Sequence, residues 1–117
     1  MPAFTPREIH RLFEDAFNAR DLEAILALYE PGAVFIAAGE PVTGHKAIRC
    51  AYQTSLAPGA RMQVCTTEVI ETEGLALLHA AWTLGPPACT EGLSTEVVRR
   101  QPNGSWLFII DNPHTKR

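Results

Sequence analysis

Glu96 and Asp111 are the side chains of this 117-residue chain whose types and spacing could do acid–base chemistry. They lie in the runs Thr95-Glu96-Val97-Val98-Arg99-Arg100-Gln101 and Trp106-Leu107-Phe108-Ile109-Ile110-Asp111, on either side of Pro102-Asn103-Gly104-Ser105. Asn-Gly is the strongest short-range signal for a two-residue type I′ hairpin, because both central residues must take φ > 0. That turn sets a register in which Trp106 faces Gln101, Phe108 faces Arg99, Ile110 faces Val97 and Asp111 faces Glu96. Neighbouring carboxylates repel, so one tends to hold its proton. A protonated and an ionised carboxyl side by side are an acid and a base, the pair that cofactor-free proton transfer requires. The competing reading leaves both at a wetted sheet end or held by an arginine, as most carboxylates are.

The elements that must position this pair can be read outward from it. Thr5-Pro6-Arg7-Glu8 has the pattern of a capping box with Pro at the first helical position. Ile9, Leu12, Phe13, Ala16 and Phe17 then repeat as a one-sided apolar stripe. Asp21 can cap a second short helix carrying Leu22, Ile25, Leu26, Leu28 and Tyr29, stopped by Pro31-Gly32. Ala33 to Ala37 reads as a short strand, Gly39 to Gly44 as a turn, and His45 to Leu56 as a third helix that Pro58-Gly59 breaks. Met62 to Glu71, Ala76 to Leu84, Leu93 to Gln101 and Ser105 to Asp111 read as strands of an antiparallel meander. Helices gathered in the N-terminal half against a sheet make an α+β fold, with residues 1–117 as a single domain.

Composition narrows the classes. Ten Lys and Arg against 13 Asp and Glu, with no basic cluster, give no footprint for nucleic acid or an anionic membrane. Cys50, Cys65 and Cys89 are odd in number and lack C-x-x-C spacing, which fits reduced thiols and a cytoplasmic location rather than disulfides or zinc. His10, His45 and His114 have no metal-ligand spacing. No signal peptide or transmembrane run is expected, nor is any Gly-rich phosphate loop or nucleophile elbow present.

Both faces of the hairpin are partly apolar. One carries Glu96, Val98, Arg100, Leu107, Ile109 and Asp111; the other carries Val97, Arg99, Gln101, Trp106, Phe108 and Ile110. If helices cover the first, the second needs a partner, so a homodimer through Trp106 and Phe108, with Trp82 beside them, is expected.

The cadence Phe17-Asn18-Ala19-Arg20-Asp21-Leu22-Glu23-Ala24-Ile25-Leu26-Ala27-Leu28-Tyr29 early, and Glu96-Val97-Val98-Arg99-Arg100-Gln101-Pro102-Asn103-Gly104-Ser105-Trp106 late, resembles the NTF2-like superfamily. Its SnoaL-like and ketosteroid-isomerase-like members are the most similar. The resemblance spans about residues 5 to 113. It implies a cone-shaped, strongly bent antiparallel sheet (a cystatin-like roll), with helices closing an apolar pocket, and usually a dimer. It also implies that His79 points into the cone toward Glu96, either shuttling a proton or sitting as a satisfied core histidine. Tyr29 and Tyr52 fall at supporting pocket positions, or fill the core with their tips at the rim. Phe13, Phe17, Val98 and Ile109 would line the pocket. The isomerase's general-base Asp falls at Ala37 and its oxyanion-hole Tyr near Phe13, so both groups are missing, while its protonated Asp falls at Glu96. An epoxide hydrolase's Asp-Arg-Asp set is not matched either, because Arg99 lies on the opposite face and Arg100 too far along the ladder. The expected function is therefore binding of a small apolar molecule with a polar handle. Any turnover would be cofactor-free and of isomerase, cyclase or dehydratase type, with Glu96, Asp111 and His79 as acid–base groups. The alternative is a non-catalytic ligand-binding or dimerisation module.

Overall fold

Helix α1 (Glu8–Asn18) buries Ile9, Ala16 and Phe17 along one side, with Leu12 and Phe13 half-buried beside them, as the apolar stripe predicts. The Glu8 carboxylate folds back to accept from the Phe4 backbone N–H at 3.1 Å and the Thr5 hydroxyl at 3.2 Å, a variant of the capping box that ties down the entry turn. In the computed structural model, which describes residues 2–56 and 59–115 apart from the Ser55 side chain, eight further elements follow. Helix α2 (Leu22–Leu26) is capped by Asp21, whose Oδ1 accepts from Ala24 N–H at 3.0 Å. Tyr29 does not belong to that helix: it opens strand β1 (Tyr29–Ala37), and Pro31-Gly32 sits inside a register irregularity between Tyr29 and Val34. Residues expected as a turn form a short strand β2 (Glu40–Thr43), joined to β1 by Ala38-Gly39 with φ of +51° and +84°. This is the loop with two positive φ values that a type I′ turn needs. Helix α3 (His45–Ser55) and strands β3 (Met62–Thr72), β4 (Leu75–Leu84), β5 (Thr90–Arg100) and β6 (Trp106–Asn112) complete the chain. The expected break at Pro58 lies outside the described residues.

The fold is α+β, with one bent six-stranded sheet in the order β2-β1-β6-β5-β4-β3. It is antiparallel except where β1 runs parallel to β6, a pairing that a hairpin meander could not make but a long connection can. The helices lie against one face and bury a core centred on Ile9, Phe17, Ile25, Ile48, Leu78 and Phe108.

Glu96 does pair with Asp111, and Val97 with Ile110, as expected. The route to that register differs. The turn has three residues, with Gly104 N–H donating to Gln101 O at 2.9 Å and Gln101 N–H to Ser105 O at 2.7 Å. Only Gly104, at φ +86°, is left-handed; Asn103 is not. Pro102 accounts for this. It has no N–H to close a two-residue hairpin, and its fixed φ suits the second position of a type I turn. The longer loop shifts the pairing by one residue, so Arg100 faces Trp106 and Val98 faces Phe108. A bulge at Ile109 then cancels the shift before Asp111.

The bulge also reverses side-chain parity within β6. Trp106 and Phe108, at 3% and 2% exposure, join Glu96, Val98 and Asp111 on the helix-covered face, which overturns their placement on an outer, dimer-side face. Trp82 faces inward too, on the same side of β4 as Ala80 and Leu78. Its indole lies across Gly92, where a Cβ would come within 2.5 Å of Cζ2. The indole N–H donates to Pro113 O at 2.7 Å, holding the segment after β6. Gly92→Ala is expected to push the indole aside, shift the Trp82 indole N–H resonance and lower stability by about 1–3 kcal/mol. Unchanged resonance and melting temperature would show that the indole does not depend on Gly92.

Candidate functional site

Helices and inner sheet face enclose a cavity of about 150 Å³. Aromatic rings dominate its walls: Phe13 and Phe17 from α1, Tyr52 from α3, Phe35 from β1, Phe108 from β6 and Trp82 from β4. Phe13 and Phe35 each lie within ring-contact distance of Tyr52, at 5.9 and 5.3 Å between centroids. The polar groups are His10, Ser94, Glu96 and Asp111, with the exposed His114 against Trp82 at 5.1 Å. No Lys or Arg is among the described lining residues.

Cross-strand pairing brings the two carboxyls to one place, and each is given one partner. Glu96 and Asp111 are 5% and 6% exposed. Glu96 Oε1 meets His10 Nε2 at 2.8 Å, and the other ring nitrogen of His10 meets Thr66 Oγ1 at 2.7 Å. Asp111 Oδ2 accepts from the Tyr29 hydroxyl, whose oxygen lies 2.6 Å from the Tyr52 hydroxyl. With its own hydrogen on Asp111, Tyr29 must accept that of Tyr52, so the two phenols form a directed relay ending on Asp111. Burial, and then the neighbouring Glu96 carboxylate, push Asp111 well above its usual 3.8, outweighing the opposing pull of the Tyr29 hydrogen bond. Burial, followed by the Asp111 charge, likewise raises Tyr29 and Tyr52 well above 10.0, so both keep their hydroxyl hydrogens.

The second oxygen of each carboxyl, Glu96 Oε2 and Asp111 Oδ1, has no hydrogen-bond partner among the described residues, and neither has Ser94 Oγ in a residue only 4% exposed. None of these three atoms is fully enclosed, and all three belong to residues that line the cavity. A proton held by Asp111 belongs on Oδ1, because Oδ2 is accepting, and it is thereby presented to the cavity.

The SnoaL-like domain profile matches residues 9–105, most of the chain. The chain belongs to the SnoaL-like domain family. Solved structures agree on the fold. A proposed calcium/calmodulin-dependent protein kinase type II association domain from Thiobacillus denitrificans is 24% identical, with a TM-score of 0.80 over 98% of this chain and 100% of that one. An NTF2-like protein of unknown function from Pseudomonas putida is 22% identical, with a TM-score of 0.77 over 94% and 83%. A proposed NTF2-like dehydratase from Streptomyces avermitilis is 19% identical, with a TM-score of 0.70 over 89% and 88%. No curated protein sequence matches significantly.

Within this SnoaL-like domain, the expected site residues divide. Glu96, Asp111, Tyr52, Phe13 and Phe17 line one cavity, and Tyr29 stands behind Asp111. Val98 is fully buried beneath it, and Ile109 is half-buried at the bulge; neither lines the cavity. His79 is on the opposite sheet face, 3.1 Å from Thr95 Oγ1 and 3.6 Å from Glu68 Oε1, because β4 turns its even-numbered residues inward. The inward histidine is His10, which the spacing of metal ligands passed over. Its signal is helical: His10, Phe13 and Phe17 share the i, i+3, i+7 stripe. Among the described residues no three His, Cys, Asp or Glu side chains gather as metal ligands, and no helix is long and apolar enough to cross a membrane.

Asp111 should therefore leave a mark on stability. Its folded pKa is raised, so its favourable contribution is complete below about 3.8 and is lost as pH rises toward the folded value. Asn cannot titrate and still accepts from Tyr29. The melting temperature of Asp111→Asn is expected to gain on that of the wild type between about pH 4 and pH 8. Parallel melting curves across that range would contradict the assignment.

Proposed function

We propose that this SnoaL-like domain binds a small, mostly apolar molecule whose polar handle reaches Glu96 and Asp111. The observation that carries the reading is the pair of buried carboxyls lining an aromatic cavity, each with one oxygen anchored and one without a partner among the described residues. A cavity near 150 Å³ is of the size that holds one benzene ring, so the occupant is about one ring with a short arm. For turnover, Asp111 is the acid and Glu96, steadied by His10, the base, the arrangement that isomerase, cyclase or dehydratase chemistry needs without a cofactor. The dehydratase proposed in Streptomyces avermitilis shares this fold, which by itself says nothing of substrate. Binding without turnover is the second reading. It is favoured by Ala37 at the position of the isomerase base and by His79 on the outer face.

Titrating benzyl alcohol into methyl-labelled protein tests the pocket. The Met62 and Val64 methyl resonances are expected to shift, and Val64→Phe, which fills the cavity, should weaken binding at least tenfold. No shift at either methyl group, with benzyl alcohol or with a charged analogue of the same size, would remove the reading.

For a homodimer we propose a different surface. Ile70, Leu77, Val97 and Ile110 form one cross-strand row over β3, β4, β5 and β6 on the outer face, with Ile70 and Ile110 55% and 45% exposed. An apolar row of this kind suits an isologous contact between two copies. Ile110→Lys is expected to yield a monomer by sedimentation equilibrium under conditions where the wild type is dimeric; a wild-type monomer at high concentration would end the proposal.

A further inference from the structure

The cavity has an unusual balance of polar atoms. Glu96 Oε2 is a free acceptor, Asp111 Oδ1 becomes one once its proton leaves, and Ser94 Oγ can accept as well. The one ring N–H that His10 could supply there is engaged with Glu96 at 2.8 Å. No guanidinium or ammonium lines the space among the described residues. A carboxylate or phosphate ligand would meet two carboxyls and no cation. A neutral carbonyl would find at most the Asp111 proton and the Ser94 hydroxyl.

A primary ammonium is the complementary group. It carries three hydrogens and no acceptor, matching three acceptors, and it brings the charge that two adjacent carboxyls lack. The aromatic walls fit the same ligand, because ring faces attract cations as well as apolar carbon. Ser94, Glu96 and Asp111 are brought together by the sheet itself: Ser94 and Glu96 alternate on the inner face of β5, and Asp111 is paired with Glu96 across the ladder.

We propose that the cavity takes a small primary amine as its ammonium ion, with N–H groups donated to Glu96 Oε2, Asp111 Oδ1 and Ser94 Oγ and an aryl or short alkyl group against Phe13, Phe35, Tyr52 and Phe108. The inference rests on the pocket reading and names its ligand class. In the empty cavity the proton on Asp111 keeps the two carboxyls from both being ionised. The ammonium replaces that proton, so binding below the Asp111 titration releases one proton from Asp111 to solvent. The other titratable groups around the pair are His10 from α1, Tyr29 from β1, Tyr52 from α3 and His114 beyond β6. The two phenols keep their hydrogens throughout. Affinity should rise with pH through the Asp111 titration and fall again once the amine itself loses its charge.

The test is calorimetric titration of the full chain with benzylamine, benzyl alcohol and benzoate, repeated in buffers of different ionisation enthalpy. Benzylamine is expected to bind at least tenfold tighter than benzyl alcohol at neutral pH, benzoate to give no measurable heat, and the amine alone to release protons, approaching one per molecule bound as pH falls. Asp111→Asn should bring benzylamine to the level of benzyl alcohol. Benzyl alcohol binding as tightly as benzylamine in the wild type would overturn the amine inference and leave the pocket standing. Failure of all three to bind would overturn both.

Discussion

Two carboxyls buried on adjacent strands are the constraint to which the rest of this domain answers. An ionised carboxyl taken from water costs several kcal/mol unless charge or hydrogen bonds compensate. A second one beside it would multiply that cost at the separation of a cross-strand pair. The domain meets the constraint twice over. Asp111 keeps its proton under the pressure of burial and of Glu96, and each carboxyl draws one donor from a different layer: His10 from the covering helix, Tyr29 from the neighbouring parallel strand. Thr66 and Tyr52 support those donors in turn. Four strands and two helices thus hold side chains in one polar chain of contacts, inside a core that is otherwise aromatic and aliphatic. Such an arrangement fixes side-chain positions more tightly than apolar packing alone, since a half-satisfied network would be worse than none.

The same constraint explains why an irregular strand is tolerated. A type I turn built around Pro102 offsets the ladder by one residue, and without correction Asp111 would fall out of line with Glu96. The bulge at Ile109 restores the register and also turns Trp106 and Phe108 inward with Asp111. One extra residue therefore recruits two aromatic side chains to the core and keeps the carboxyl pair. The uncovered face is left with the aliphatic row through Ile110, flatter and less bulky than one bearing Trp and Phe.

Much of the fold was legible in the chain because its signals are local. The stripe of α1, the Asp21 cap, the four long strands and the Glu96–Asp111 pairing all follow from periodicity and turn residues within a few positions of each other. The structure departs from those signals where one local rule meets another. Asn103-Gly104 signals a type I′ turn, but Pro102 cannot close one, and the I′ geometry went to Ala38-Gly39 instead. Parity along β4 could not be had from its own sequence, since Leu77, His79 and Ala81 alternate with Leu78, Ala80 and Trp82, all largely apolar sets. Only pairing with β5 shows that Leu78 shares a face with Glu96 and that His79 does not. His10 was readable as a member of a helical stripe. Its meaning was not, because its partner lies 86 residues away.

Position in the family and chemistry at the site are consequently separable. Profile and fold neighbours establish a scaffold whose relatives carry quite different names, and a shared sheet cannot choose among them. That choice rests on the polar atoms of the site itself. The resemblance puts the isomerase base at Ala37 and its phenol near Phe13, where this chain has hydrocarbon, while Ser94, Glu96 and Asp111 supply oxygens among the residues lining the ring-walled cavity. Once Asp111 gives up its proton, a site with this set of oxygens favours a cation or hydrogen-bond donor over an anion.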